Sequence, residues 1–96
     1  MKTLFIIHAG ADERRVPHLL EQHGVGGYTQ IGQGTGAGTS GRLEGTRAWP
    51  GQATLWLTII RDEEAERLMQ ALRDVKAHLE PGEHLHASLM QADDFI

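Results

Sequence analysis

Ten of the twelve glycines in this 96-residue chain fall between Gly24 and Gly51, in the run GVGGYTQIGQGTGAGTSGRLEGTRAWPG. Such a segment cannot build a core. Glycine has no side chain to bury and loses more backbone freedom on ordering than any other residue. The apolar residues on either side must form the core, and the glycine segment is left to use its backbone for anion cradling or for docking to a partner.

Those flanks read clearly. Leu4 to Ala9 is a short apolar run closed by Gly10, as in a buried strand. Asp12 is a candidate helix N-cap, followed by Val16, Leu19, Leu20 and His23 at helical spacing and by Gly24 where a left-handed C-cap is wanted. Pro17 is tolerable only in a first turn, so the spacing predicts a helix that starts near Arg14 or Arg15. Tyr28 to Gly32 enters the glycine segment as a second strand, and Ala53 to Ile60 (ATLWLTII) leaves it as a third. Asp62 is a candidate cap for a second helix with Glu63, Glu64 and Glu66 at its positive end. Its apolar stripe is Ala65, Leu68, Met69, Leu72, Val75 and Leu79. Pro81-Gly82 ends that helix, and Leu85 to Met90 alternates as a fourth strand.

The order βαββαβ predicts an α+β, ferredoxin-like domain spanning residues 1–96, with both helices on one face of a four-stranded antiparallel sheet. The other face should be wet, yet the first strand is apolar on both sides, with Leu4 and Ile6 set against Phe5 and Ile7. Trp56, Ile60 and Met90 are expected on the side opposite Leu55, Leu57, Ile59, Leu85 and Leu89, so both faces carry apolar side chains. Further copies of the chain are the simplest cover, which predicts a homo-oligomer.

Composition narrows the function classes. A net charge of −4 with no cluster of Lys or Arg argues against nucleic acid as a partner. There is no cysteine for a disulfide or a thiolate metal site. Leu4-Phe5-Ile6-Ile7 is far shorter than the roughly 7 to 15 apolar residues of a signal-peptide core, and no run could span a membrane. A cytoplasmic location is the expectation.

Glu21 to Gly34, EQHGVGGYTQIGQG, is followed by a glycine-rich loop with Arg42, a Trp49-Pro50-Gly51 exit and the strand TLWLTII. This pattern resembles the PII signal-transduction family, that is, the nitrogen regulatory protein P-II and its PII-like relatives. Gly24, Gly27, Thr29, Gly32 and Gly34 carry the likeness most specifically. The resemblance implies a homotrimer with clefts between subunits. It also implies an adenine nucleotide (ADP, AMP or ATP) bound near Thr29, Gly32 and Gly34, and a flexible effector loop at about 34–51. In that reading Arg42 and Arg47 contact an anion or a partner, and the loop regulates a membrane transporter or an enzyme. The regions where the family carries basic groups here read Glu80-Pro81-Gly82-Glu83-His84 and Ala92-Asp93-Asp94-Phe95-Ile96, so acidic side chains are expected to oppose a triphosphate. Tyr28 lies in the strand and the loop has no tyrosine, so tyrosine uridylylation is not supported.

Three other readings compete. Gly36-x-Gly38-x-x-Gly41 matches a dinucleotide fingerprint as a string, but no helix start follows it, and the Gly-Lys-Ser/Thr of a Walker loop is missing. His84 and His86 stand two apart on a strand and share a face, where a metal ion is possible, which gives the alternative of a metal-responsive trimer. A small enzyme using His8 with Asp12 is the third, and no carboxylate pair or closed metal set in the sequence supports it, so the chain is read as a binding module rather than an enzyme.

Overall fold

The computed structural model describes residues 1–38, 41–43 and 52–96. Strands β1 (Lys2–Ala9), β2 (Thr29–Gly34), β5 (Ala53–Ile60) and β6 (His84–Gln91) form one antiparallel sheet in the order β2-β5-β1-β6, and helices α1 (Arg15–Gln22) and α2 (Asp62–Lys76) connect them. The four-strand, two-helix order is the expected ferredoxin-like one. Inside the glycine segment, β3 (Gly36–Gly38) pairs with β4 (Gly41–Leu43) as a separate two-stranded ladder, where no strand was expected.

Both helices start and stop for local reasons. Pro17 is the third residue of α1, in the first turn, where a backbone N–H has no intrahelical partner to lose. Asp12 sits two residues before the N-cap, Arg14, and its Oδ1 accepts the Arg14 N–H at 3.1 Å. The end of α1 is a Schellman turn: Val25 N–H reaches Leu20 O and Gly24 N–H reaches Glu21 O, both at 3.0 Å, with Gly24 at φ +72°. Asp62 is the first residue of α2 rather than its cap, and its Oδ1 pairs with the N-terminal ammonium at 2.9 Å. Asp62, Glu63 and Glu64 at the start of α2 and Arg73 and Lys76 at its end complement the helix dipole.

One face of the sheet holds the core. Val16, Leu19 and Leu20 from α1 and Ala65, Leu68 and Leu72 from α2 close over Leu4, Ile6, Trp56, Ile60 and Leu85. The strand register corrects the expected division of faces. Ile6 lies opposite Trp56, Lys2 opposite Ile60 and His8 opposite Leu85, so Trp56, Ile60, Leu85 and Leu89 belong to the helix-covered side. Alternation within each strand was readable, but which set turns toward the helices depends on cross-strand pairing, which a single strand does not record. The uncovered face carries Phe5, Ile7, Leu55, Leu57, Ile59 and Met90, with Ile31 at its edge 59% exposed. No helix among the described residues is long and apolar enough to cross a membrane.

Candidate functional site

At the end of β2 the sheet breaks its register. Ile31 pairs with Leu55 and Gly34 with Ala53, so Gly32 and Gln33 together oppose Thr54. This is a β-bulge on an edge strand, with Gln33 in the left-handed region at φ 60°. Backbone in that region costs a non-glycine residue about 1 kcal/mol or more. Its consequence is local: two successive residues, Gly32 and Gln33, both line the same cavity. Gly34 seats the end of the strand, because a Cβ there would stand 2.9 Å from the carbonyl oxygen of Ala53.

The cavity holds about 550 Å³, within the range of small-molecule sites. Its polar lining residues include Gln30, Gln33, Gln52, Thr54 and His8. Glu13 adds a carboxylate, and no Lys or Arg lines it among the described residues. Such a wall offers many neutral donors and acceptors and little charge to hold several phosphates.

Beneath the cavity lies a buried polar cluster assembled from three parts of the chain. His8 Nε2 donates to Glu83 Oε2 at 2.6 Å, and Arg15 grips the same carboxylate with two bonds, Nε to Oε2 at 2.6 Å and a terminal guanidinium nitrogen to Oε1 at 2.7 Å. The backbone N–H of Glu80 adds a fourth bond to Oε1 at 3.0 Å. Burial of Glu83 works to raise its pKa. The hydrogen bonds from Arg15, His8 and the Glu80 backbone, with the Arg15 charge, override it and hold the carboxyl at about 2. The same hydrogen bond, with burial opposing it, raises the pKa of Arg15. Gly10 closes over the pair: a Cβ there would meet Glu83 Cγ at 2.9 Å and His8 Nε2 at 3.3 Å. Beside His8 stands Trp56, the ring centroids 6.3 Å apart. Trp56 also lines the cavity, and its buried indole Nε1 is a donor without a partner among the described residues.

The residues singled out in the sequence are dispersed. Gly32 lines the cavity and Gly34 closes the strand beside it. Thr29 pairs with Leu57, on the opposite face of the sheet. Arg42 lies in β4 opposite Ala37, and Arg47 lies outside the described residues. Glu83, read as an acidic group opposing phosphate, is instead neutralised by Arg15, while Glu80, Asp93 and Asp94 are exposed and do not line the cavity. The supposed partner of His8, Asp12, is replaced by Glu83. His84 and His86 share the uncovered face as expected, but His86 Nδ1 accepts from Lys76 Nζ at 3.3 Å. No group of three potential metal ligands forms among the described residues, so a metal site finds no support.

Sequence reasoning missed Gln30, Gln33, Gln52, Trp56 and the His8–Glu83–Arg15 cluster. The one available signal was Gln30, which stands two before Gly32 and so shares its face if the strand is regular.

No family model matches the sequence, and no curated protein matches it. Solved structures do. CPII from Thiomonas intermedia K12, a nitrogen regulatory PII-like protein bound to ADP, AMP and bicarbonate, is 22% identical with a TM-score of 0.69, over 99% of this chain and 94% of that one. A second structure of CPII, bound to ADP and bicarbonate, is 25% identical with a TM-score of 0.69, over 93% and 86%. A PII-like signalling protein from Thermus thermophilus is 21% identical with a TM-score of 0.58, over 94% and 86%. From β1 through β6, the chain has the fold of the PII-like nitrogen regulatory proteins.

Proposed function

We propose that this chain is a PII-like regulator, a homotrimeric sensor that binds a small anionic effector and modulates a partner protein through its glycine-rich loop. The effector is an adenine nucleotide of low charge, ADP or AMP, and no catalysis is assigned to the site. The observation that carries this reading is the bulged end of β2: Gly32 and Gln33 line a cavity at the root of the glycine segment, in a fold shared with CPII structures that hold ADP, AMP and bicarbonate. An occupant there touches the strand from which the loop departs, so binding energy has a short route to the loop backbone.

The cavity lining favours ADP or AMP over ATP, because its described residues supply no Lys or Arg for additional phosphate charge. The apolar, helix-free sheet face supports the trimer, since covering it with two further copies removes exposed Ile7, Ile59 and Met90 from water. A transporter or an enzyme in the cytoplasm is the partner class that this arrangement suits. Calorimetry with ADP, AMP and metal-free ATP on the full chain tests the ligand. Heat from AMP or ADP at least equal in affinity to ATP is the expected result, and silence from all three removes the nucleotide from the proposal.

A further inference from the structure

Gln33 stands at φ 60° between Gly32 and Gly34, and no other residue except glycine has a positive φ among the described residues. Glycine takes that conformation without strain, and the chain places glycine at Gly32, Gly34 and Gly36. A glutamine is kept where glycine would fit better. Packing does not account for it, because Gln33 is exposed, and its side chain makes no hydrogen bond among the described residues. In a regular strand residue 33 would face away from residue 32, but the bulge brings both to the cavity, so the strained conformation is what presents Gln33 to an occupant. Strain retained at a cavity wall is a mark of function rather than of folding.

The lining also decides which part of a nucleotide belongs there. Glu13 brings a negative charge and no Lys or Arg lines the cavity among the described residues, so phosphate is the part least suited to it. Trp56, 2% exposed, lines the same cavity with a neutral N–H donor that lacks an acceptor. Such a lining suits a neutral, hydrogen-bonding base. The geometry points to Gln33 as the residue that selects adenine, its amide pairing with the base edge while the phosphate stays outside the cavity. The inference deepens the adenine-nucleotide reading and rests on it. A primary amide presents a carbonyl acceptor beside an N–H donor, and adenine presents its 6-amino donor beside a ring-nitrogen acceptor, so the two join through a pair of hydrogen bonds.

The test is calorimetry with AMP and with purine riboside 5′-monophosphate, which lacks the 6-amino group, alongside thermal melts of the ligand-free full chain. Wild type should bind AMP about five-fold or more tightly than the analogue. Gln33→Gly should raise Tm by roughly 2–8 °C, since it relieves the left-handed strain and gives back part of the gain as chain entropy. The same variant should bind AMP about ten-fold or more weakly. A residue kept for structure alone does not give these opposite signs. Gln33→Ala keeps the strain and removes the amide, so it should melt with wild type, show the same loss for AMP and treat the two nucleotides alike. Undiminished AMP binding by either variant, no preference in wild type, or a lower Tm for Gln33→Gly overturns the assignment. A wild type that binds no AMP removes the nucleotide reading and the role of Gln33 with it, whereas AMP binding that ignores residue 33 overturns the role of Gln33 alone.

Discussion

Glu83 Oε2 accepts a hydrogen bond from His8 Nε2 at 2.6 Å across 75 residues of sequence, and this contact ties the end of β1 to the turn that enters β6. The carboxylate is 4% exposed and depends on its donors to remain charged. Its folded pKa, about 2, lies below the ordinary value of 4.5, so its contribution to stability is complete above about pH 4.5 and is lost as pH falls toward 2. Acid unfolding should therefore steepen in that window. In Glu83→Gln, which cannot ionise, the steepening should shrink while stability at pH 7 falls by roughly 2–4 kcal/mol, because the Arg15 charge loses its counter-charge and one of the two acceptor oxygens becomes an NH2 donor. Urea melts at pH 7, 4 and 3 measure both effects, and an unchanged pH slope in the variant would assign the acid sensitivity elsewhere.

The two faces of the sheet predict opposite phenotypes. Ile7 is 44% exposed and lies opposite Leu55 on the uncovered face, whereas Trp56 lies opposite Ile6 in the core. Ile7→Asp should leave the monomer fold within about 0.5 kcal/mol of wild type. It should shift light scattering from a mass of three chains to that of one, since an unpaired charge does not survive in an apolar interface. Trp56→Asp should unfold the chain outright. A wild-type protein that scatters as a monomer at micromolar concentration would remove the trimer.

Much of this architecture could be read from residue patterns because it is local. The helical spacing of Ala65, Leu68 and Leu72, the first-turn Pro17 and the left-handed Gly24 each follow from neighbours a few positions away, and all three take the expected role. The face assignment of Trp56 and Ile60 was not local, since it depends on pairing with Ile6 and Lys2 some fifty residues earlier. The site was still less legible. Of the residues singled out, Gly32 lines the cavity, while its other walls arise from a bulge, which inserts one residue into an alternation and leaves no mark in composition, and from a contact between residues 8 and 83. His8 was visible as a histidine ending a strand, but its partner was not, because Glu83 lay in an acidic segment that read as opposing phosphate.

Gly24 should be among the least replaceable residues of the fold for a reason that involves no packing. A Cβ there meets nothing within 4 Å, so the cost of Gly24→Ala comes from φ +72° alone. A left-handed L-residue costs roughly 1–2 kcal/mol. In a domain of this size that lowers Tm by about 4–8 °C per kcal/mol. Gly24→Asn, which tolerates the conformation better, should recover part of the loss. A variant Gly24→Ala that melts with the wild type would mean that the Schellman turn has rearranged.

Gly32 and Gly34 stand two residues apart and should fail differently, which separates the site from the scaffold. At Gly32 a Cβ meets nothing within 4 Å, and the residue lines the cavity, so Gly32→Leu should fold normally and fill space that a ligand needs. At Gly34 a Cβ would press on the Ala53 carbonyl at 2.9 Å, so Gly34→Leu must pry β2 from β5 at the end of the strand. The expected results are a melt within a few degrees of wild type and at least a ten-fold loss of AMP or ADP affinity for Gly32→Leu, against a Tm lowered by about 4–8 °C or more for Gly34→Leu. Calorimetry and thermal melts on the two variants side by side decide it. Undiminished nucleotide binding in a folded Gly32→Leu protein would move the ligand out of this cavity.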